Sequence, residues 1–302
     1  MKRRNFVALS ALGVASCKTS QTSVIDTDKS NELRSGLKLS IAAYSLRSKL
    51  PNYRNDLKAT SNYQMEDFIL QAAKWPVDAV ELTSYFLPHP CPISRTHELK
   101  RLAHVSGLDI SGGAIGNNFT YKPGSVKAIQ QMDYTRKWIE TYANMGVSVI
   151  RVFAGDPDKA ADKDQAVRNI IENLRSACYF AEKSGVILAM ENHDFTTDID
   201  RYLKIIESVN SPWFGANLDS GNLAKTSTPY ADLARIAPHA VNVQFKVLIP
   251  VDGVDQPADF SKLVQLLKDA KYKGYVVLEY EESADPMTEI PKYLDELSSL
   301  IK

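Results

Sequence analysis

The sequence has few of the features that mark nucleic-acid-binding and zinc-cluster proteins. Its 36 basic and 36 acidic residues give a formal net charge of zero, whereas a protein that neutralises phosphates needs a basic excess. Only five histidines occur in the chain, and most lie away from the ends of the predicted strands, which argues against a multi-zinc cluster. No predicted strand is followed by a glycine-rich turn of the kind that holds nucleotide phosphates.

The sequence also lacks an apolar run long enough to span a bilayer, but its first residues have the pattern of an export signal. A positive segment (residues 2–4) precedes a short apolar segment (residues 6–13) and the small-residue sequence V-A-S-C, which ends at Cys17. This resembles a bacterial lipobox, which predicts cleavage before Cys17, a lipid anchor on its thiol and a location on the periplasmic side of a bacterial membrane. An ordinary secretory signal is the alternative. We therefore predict a signal peptide (1–17), a flexible polar tether (18–36) and a catalytic domain (37–302).

From residue 37 onward, short apolar runs alternate eight times with helical patterns. Runs of this kind separated by helices predict a parallel sheet. The predicted strands are residues 39–44, 77–82, 108–113, 147–153, 186–191, 214–219, 241–246 and 275–280. Their number and the length of the region match a single α/β domain, the (β/α)8 or TIM barrel. A doubly wound sheet is the competing fold, and the absence of a glycine-rich phosphate turn disfavours it.

The predicted helices carry recognisable start and stop signals. Ser125 is placed to cap the N-terminus of one helix, because its hydroxyl can accept a hydrogen bond from a free backbone N–H. Glycine follows four apolar helical patterns and can adopt the left-handed backbone of a helix C-terminus without a Cβ clash. These glycines are Gly107, Gly146, Gly185 and Gly274.

The later strands end in polar side chains that share one face. Alternation along a strand places these residues inside the barrel if the opposite, apolar face packs against the helices. They are Glu191, His193, Asn217, Asp219, Asn242, Gln244, Lys246, Glu279 and Glu281. Carboxylates that converge in a site of low dielectric repel one another unless a proton or a cation neutralises them.

We therefore predict a divalent metal ion at the carboxyl ends of these strands. All the predicted ligands are oxygen donors, which suit Mn²⁺ or Mg²⁺ better than Zn²⁺. The predicted ligands are Glu191, Asp219, Gln244 and Glu279. The alternative is that the carboxylates form salt bridges with Lys246 and Arg151.

Three of these segments carry a family resemblance. A-M-E-N-H (189–193), N-L-D-S-G-N (217–222) and V-L-E-Y (277–280) resemble the xylose-isomerase-like (β/α)8 superfamily of sugar isomerases and epimerases, and the resemblance extends over residues 37–302. It implies one divalent metal ion, with ligands at the four predicted positions. It also implies substrate contacts for His193 and Lys246. Two positions depart from the family pattern, because Gln244 replaces its His and Val247 its Asp, and a dehydratase branch of the superfamily also has Gln as a ligand.

The early strands offer further candidates for substrate contacts. Tyr44, Glu81 and Arg151 have inward parity, and Asn117 follows a strand at the same end of the barrel. A buried ion pair between Glu81 and Arg151 is an equally good interpretation of two of them.

The predicted activity is the removal of a proton next to the carbonyl of a non-phosphorylated keto-sugar, with Glu191 and Glu279 as base and acid. Return of the proton gives an epimerase or isomerase. Loss of a leaving group from a keto-sugar or 3-keto-glycoside gives a lyase or dehydratase, which is the first alternative. A non-catalytic glycan-binding lipoprotein and a multi-zinc endonuclease of the same fold are less well supported, because both glutamates are present and histidines are few.

Overall fold

The computed structural model describes residues 36–158 and 161–301. The predicted signal peptide, the lipid anchor on Cys17 and the tether up to residue 35 lie outside the described residues. Within the described part of the chain, no helix is long and apolar enough to cross a membrane.

The predicted TIM barrel is confirmed. The strands are β1 (Leu37–Ala42), β2 (Ala79–Thr83), β3 (Asp109–Ala114), β4 (Val149–Val152), β5 (Ile187–Glu191), β6 (Phe214–Asp219), β7 (Ala240–Phe245), β8 (Leu248–Val251), β9 (Val254–Pro257) and β10 (Gly274–Leu278). Eight of them form a closed barrel in the order β1-β10-β7-β6-β5-β4-β3-β2, and every neighbouring pair is parallel. All eight predicted strands are present, with ends that differ by no more than two residues from the prediction.

Helices connect the strands and surround the barrel. They are α1 (Met65–Ala72), α2 (Ile93–Val105), α3 (Val126–Met145), α4 (Lys163–Ser184), α5 (Ile199–Val209), α6 (Pro229–Ile236), α7 (Phe260–Asp269) and α8 (Pro286–Ile301). The hydroxyl of Ser125 accepts a hydrogen bond from the N–H of Ala128, as predicted. Gly146 and Gly185 end α3 and α4 with φ of 81° and 67°, the left-handed conformation that glycine adopts readily.

One predicted helix stop is wrong. The left-handed residue after α7 is Lys271, with φ of 57°, and Gly274 instead begins β10. Glycine is needed at this position for space, because a Cβ here would lie 2.8 Å from the hydroxyl oxygen of Tyr272.

A short antiparallel hairpin, β8–β9, follows β7 and was not predicted. Its turn is Asp252-Gly253, and both residues have positive φ, 52° and 80°. Asp-Gly is the preferred sequence for a two-residue hairpin turn with positive φ at both positions. The signal was therefore present in the sequence, in a segment too short to form part of the barrel.

The two faces of the strands divide the interior as the alternation predicts. On the outer face Leu188, Met190, Leu218 and Val243 are fully buried in the apolar core beneath the helices. The inner face is polar and equally buried, and the exposed fractions of Glu81, Asn217, Asn242 and Gln244 are all 2% or less. Buried polar groups need hydrogen-bond partners, so these inner side chains interact with one another. The candidate functional site therefore lies in the barrel interior.

Candidate active site at the mouth of the barrel

The carboxyl ends of the strands bring charged side chains together around Lys246. The Lys246 ammonium donates hydrogen bonds to Glu279 and Glu281 and lies 3.4 Å from Oδ2 of Asp219. We call these residues, together with the ion pair of Arg151 and Glu191, the mouth cluster. Its members are Arg151, Glu191, Asp219, Lys246, Glu279 and Glu281.

Lys246 carries a stable positive charge. Burial alone would lower its pKa, but Asp219, Glu279 and Glu281 together raise the pKa well above its usual value. A protonated amine has no lone pair for attack on a carbonyl, so a Schiff base at Lys246 is disfavoured. Its role in the present arrangement is electrostatic.

Asp219 is held at one oxygen and left without a hydrogen bond at the other. Its Oδ1 accepts hydrogen bonds from the backbone N–H groups of Gly221 and Asn222, at 2.8 and 2.9 Å. Its Oδ2 is buried and accepts none. Burial raises the pKa of Asp219 to about 6; Lys246 opposes this rise and Glu191 adds to it.

Glu191 forms the second ion pair of the mouth cluster. Nε of Arg151 lies 2.9 Å from Oε2 of Glu191, although its N–H is not aligned for a hydrogen bond. The amide of Asn222 donates to Oε1 at 2.9 Å. Arg151 is fixed in turn by donating to the carbonyl of Ile115 at 2.7 Å. The alternative of a Glu81–Arg151 ion pair is wrong, because Glu191 takes the guanidinium instead.

Below the mouth cluster, four side chains form a closed hydrogen-bonded ring that we call the amide layer: Glu81, Asn217, Asn242 and Gln244. Gln244 donates to Oε1 of Glu81 at 2.7 Å and accepts from Asn217 at 2.7 Å. Asn242 donates to Asn217 at 2.7 Å and to Oε2 of Glu81 at 3.0 Å. Burial, together with the charge of Glu279, raises the pKa of Glu81 to about 7 despite these hydrogen bonds.

The amide layer has a direct consequence for Gln244. Both polar atoms of its side chain already have partners, and neither faces the cavity described next. A role as a metal ligand would require its amide to leave Asn217, and that role stays a prediction. The contact with Glu81 explains why a glutamine is accommodated here, since an amide can donate to one neighbour and accept from another at once.

A cavity of about 490 Å³ opens above the mouth cluster, a volume typical of a small-molecule site. Seven of its lining residues were predicted as site residues: Tyr44, Asn117, Arg151, Glu191, His193, Lys246 and Glu279. Asp219, Gln244 and Glu81 lie beneath this lining.

The three remaining lining candidates are held in different ways. Both polar atoms of Asn117 bond the backbone of Phe153, at 2.7 and 2.9 Å, so this side chain fixes a loop. The ring of His193 lies against that of Phe153, with centroids 4.6 Å apart, and its Nδ1 is 2.9 Å from Asp194. Tyr44 packs edge-on against Tyr85, with ring centroids 6.1 Å apart, and it lines the cavity.

The sequence did not single out three further residues that line the cavity, namely Arg54, Tyr85 and Asn222, whereas Glu281, which also lines it, was among the inward-facing polar residues. Asn222 lies in the N-L-D-S-G-N segment and Glu281 shares the parity of Glu279, so both had a signal. Tyr85 and Arg54 lie in loops after β2 and β1, where no periodicity predicts which side chains point inward.

The mouth cluster has the donor chemistry of a site for a divalent ion. Glu191, Asp219 and Glu279 present carboxylate oxygens, the ligands that a hard divalent ion prefers, at the carboxyl ends of β5, β6 and β10, and one buried oxygen of Asp219 lacks a hydrogen-bond donor. In the present conformation, however, no three His, Cys, Asp or Glu side chains of the described residues are arranged as a metal site. The ammonium of Lys246 lies among them instead. The three carboxylates have the oxygen donors that a divalent ion needs, and in this conformation the single positive charge of Lys246 is shared by Asp219, Glu279 and Glu281.

Fold and site together define a (β/α)8 barrel with acidic side chains at its mouth and a cavity of sugar size. The sequence profile of the xylose isomerase-like TIM barrel family matches residues 69–300. The chain belongs to this family, as the resemblance implied.

Part of the chain also matches an individual epimerase. The chain is 28% identical over 176 residues to L-ribulose-5-phosphate 3-epimerase UlaE from Escherichia coli K12, covering 55% of this chain and 62% of that protein. The chain thus matches less than two-thirds of the length of this relative.

Two solved structures are similar in fold. They are D-psicose 3-epimerase in the presence of D-fructose (TM-score 0.69, 15% identity, 87% of this chain and 99% of that one) and the Escherichia coli 3-keto-D-glucoside 4-epimerase YcjR (TM-score 0.62, 15% identity, 88% and 98%). At these identities the likeness shows the fold alone.

Proposed function

We propose that this protein is an epimerase or isomerase of a non-phosphorylated keto-sugar and works by removing a proton next to the carbonyl. The observation that carries the proposal is the pair Glu191 and Glu279, which line one cavity from the ends of two strands, each beside a buried cation. The sequence similarity to L-ribulose-5-phosphate 3-epimerase supports the same class of reaction.

The two glutamates are suited to different steps. Glu191 lies beside the Arg151 cation and accepts a hydrogen bond from the Asn222 amide, and we assign it the role of the base that accepts a proton from carbon. The electron pair of the broken C–H bond then moves to the carbonyl oxygen, which gives an enediolate. Burial raises the pKa of Glu279, although Lys246 opposes the rise, so Glu279 is the better candidate to return a proton to carbon.

A divalent ion, Mn²⁺ or Mg²⁺, is part of this proposal. Glu191, Asp219 and Glu279 would hold it, with Gln244 as a fourth ligand if its amide turns from Asn217. A bound ion would polarise the carbonyl and stabilise negative charge on its oxygen. The side chains of the cavity would orient the sugar, with the hydroxyl of Tyr44 and the amide of Asn222 as hydrogen-bonding groups near the reacting carbons.

The charges around the cavity favour a substrate without phosphate. Of the lysines and arginines that line it in the described part of the chain, Arg151 and Lys246 already have carboxylate partners. Arg54 has none, and its guanidinium lies 4.5 Å from the centre of the Tyr85 ring. One exposed arginine suffices to bind a hydroxyl group, whereas phosphate sites in proteins combine several donors.

Elimination is the second candidate. Gln244 and Val247 replace the His and Asp of the usual family pattern, and both are buried at the end of β7. An enolate that has a leaving group β to the carbonyl can expel it with the same two glutamates, so a lyase needs no further machinery.

The decisive experiment is a screen of keto-sugars, their phosphates and 3-keto-glycosides with Mn²⁺-loaded protein in D₂O. Solvent deuterium on carbon in an epimerised or isomerised product supports the proposal. An enone or hydroxyglycal product, detected by ultraviolet absorbance or mass, favours the lyase. Hydride transfer directly between carbons, or binding of glycans without turnover, would overturn proton abstraction.

We further propose that the chain is exported and anchored through a lipid on Cys17, on the strength of the V-A-S-C segment alone. Membrane fractionation tests this. Cys17→Ala should move the protein from the membrane to the soluble periplasmic fraction, and a wild-type protein that is already soluble there contradicts the anchor.

A further inference from the structure

We propose that the ammonium of Lys246 is a displaceable internal cation, which competes with a divalent metal ion for the same carboxylates and thereby sets the metal affinity of the site. This inference rests on the metal site of the proposed function. It goes further, because it assigns the regulation of metal binding to a residue that the metal mechanism does not need as a ligand.

The position of Lys246 is the first argument. Its ammonium bonds Glu279 and lies 3.4 Å from Asp219, and these two carboxylates are also predicted metal ligands. An ammonium and a divalent ion cannot both occupy this space, since they repel each other strongly at such a separation in a medium of low dielectric. Metal binding therefore requires the ammonium to move.

The charge of the cluster is the second argument. Four carboxylates face two cations, Arg151 and Lys246, so the mouth cluster has a formal excess of two negative charges. This excess attracts a divalent ion even while the lysine is charged. Lys246 therefore competes with the ion for one position, while the net negative charge of the cluster still attracts a cation.

The surroundings of the lysine leave it one direction in which to move. Its backbone N–H donates to Ser220 at 2.8 Å, and its Cβ and Cγ pack against Gly221, where an added Cβ would lie 2.6 Å from Cγ. The stem is therefore fixed and only the outer torsions can turn. Glu281, whose side chain is 39% exposed, already bonds the ammonium from the solvent side and would keep it paired after it leaves Asp219 and Glu279.

Direct metal binding to the full chain tests this inference. Titration calorimetry with Mn²⁺ would compare wild type, Lys246→Met and Lys246→Arg. Methionine has a similar length without the charge, so we expect Kd to fall at least ~10-fold in Lys246→Met, and Lys246→Arg should bind no more tightly than wild type. Lys183→Met is the matched control: it removes the same charge from the exposed end of α4, at the opposite end of the barrel, and should leave Kd within about twofold.

A second measurement uses only the wild-type chain, in case Lys246→Met does not fold. Acetylation of lysines by acetic anhydride, followed by peptide mass spectrometry, reports how available each amine is. Saturating Mn²⁺ should raise the labelling of Lys246 several-fold and leave that of Lys183 unchanged.

The outcomes separate this inference from the proposed function. Equal or weaker Mn²⁺ binding by Lys246→Met, or a Lys246 that stays equally protected when Mn²⁺ is bound, overturns the competition and leaves the metal site standing. Absence of Mn²⁺ binding in every protein overturns both the competition and the metal part of the proposed function.

Discussion

The amide layer and the mouth cluster lie one above the other inside the same strands, yet they satisfy their polar groups differently. In the amide layer each amide has a fixed neutral partner, and the ring closes on Glu81. In the mouth cluster, charged groups share partners, and one oxygen of Asp219 has no hydrogen bond.

This difference gives the amide layer a structural role and the mouth cluster a chemical one. A complete hydrogen-bonded ring has one low-energy arrangement and holds the strand ends in place. A cluster of ions with more carboxylates than cations has several arrangements of similar energy, so it can accept a proton, a sugar or a metal ion. The following predictions test the two sides of this comparison and, last, the rim of the cavity above them.

The largest effect is expected in the mouth cluster. Glu191→Gln removes the proposed base while keeping the shape of the side chain, so turnover of any substrate found should fall by about a thousandfold or more. The rate of deuterium incorporation from D₂O measures it. Glu282→Gln, an exposed position near the same rim, is the control and should stay close to wild type. Retention of a tenth of the activity by Glu191→Gln would remove Glu191 from the mechanism.

The amide layer should respond in stability. Asn217→Ala deprives Gln244 of a donor and Asn242 of an acceptor in a fully buried place. Two unsatisfied groups should lower the free energy of unfolding by about 4 kcal/mol. Urea denaturation measures the change, and exposed Asn55→Ala should change it by less than about 0.5 kcal/mol. A loss for Asn217→Ala no larger than that of the control would mean that the ring does not stabilise the barrel.

The titration of Glu81 makes the contribution of the amide layer to the free energy of unfolding depend on pH. Burial raises its pKa in the folded protein to about 7 from an ordinary 4.5, so the folded state keeps a proton that the unfolded chain releases. The stability that this group contributes is complete below pH 4.5 and is lost as the pH rises to about 7, at a cost of about 3 kcal/mol.

Unfolding free energies at pH 5 and pH 8 test this prediction. The decrease between them should be smaller in Glu81→Gln than in wild type, because the other titrating groups are common to both proteins. Parallel pH profiles would show that Glu81 keeps an ordinary pKa.

The smallest effect is expected at the rim of the cavity. Arg54→Ala should raise KM for a neutral sugar about fivefold and leave kcat nearly unchanged, since a single hydrogen bond to an exposed guanidinium contributes about 1 kcal/mol. Steady-state kinetics with a free sugar and its phosphate measure the effect. A much larger loss confined to the phosphate, together with a preference for it in wild type, would reverse the proposed substrate class.

The limits of prediction follow from how far apart the interacting residues lie in the chain. Asp219 and Glu279 could be assigned to the mouth because strand alternation is a local rule. Arg151 could be placed inside the barrel but not paired, since Glu81 and Glu191 were both within reach of an inward-facing guanidinium. The loop residues Arg54 and Tyr85 follow no repeating pattern, so nothing in the sequence distinguishes them from loop residues that face solvent.

The sequence by itself determined the barrel and which side chains enter it, because the apolar period of strands and helices and the glycines that end the helices are properties of neighbouring residues. Only the tertiary structure decided which charges meet. Gln244 turned toward Glu81 and Asn217, and Lys246 came to lie among Asp219, Glu279 and Glu281. The physical reason is that an ion pair in a site of low dielectric depends on distances of a few ångströms between residues from different strands, and the closing of the barrel alone sets those distances.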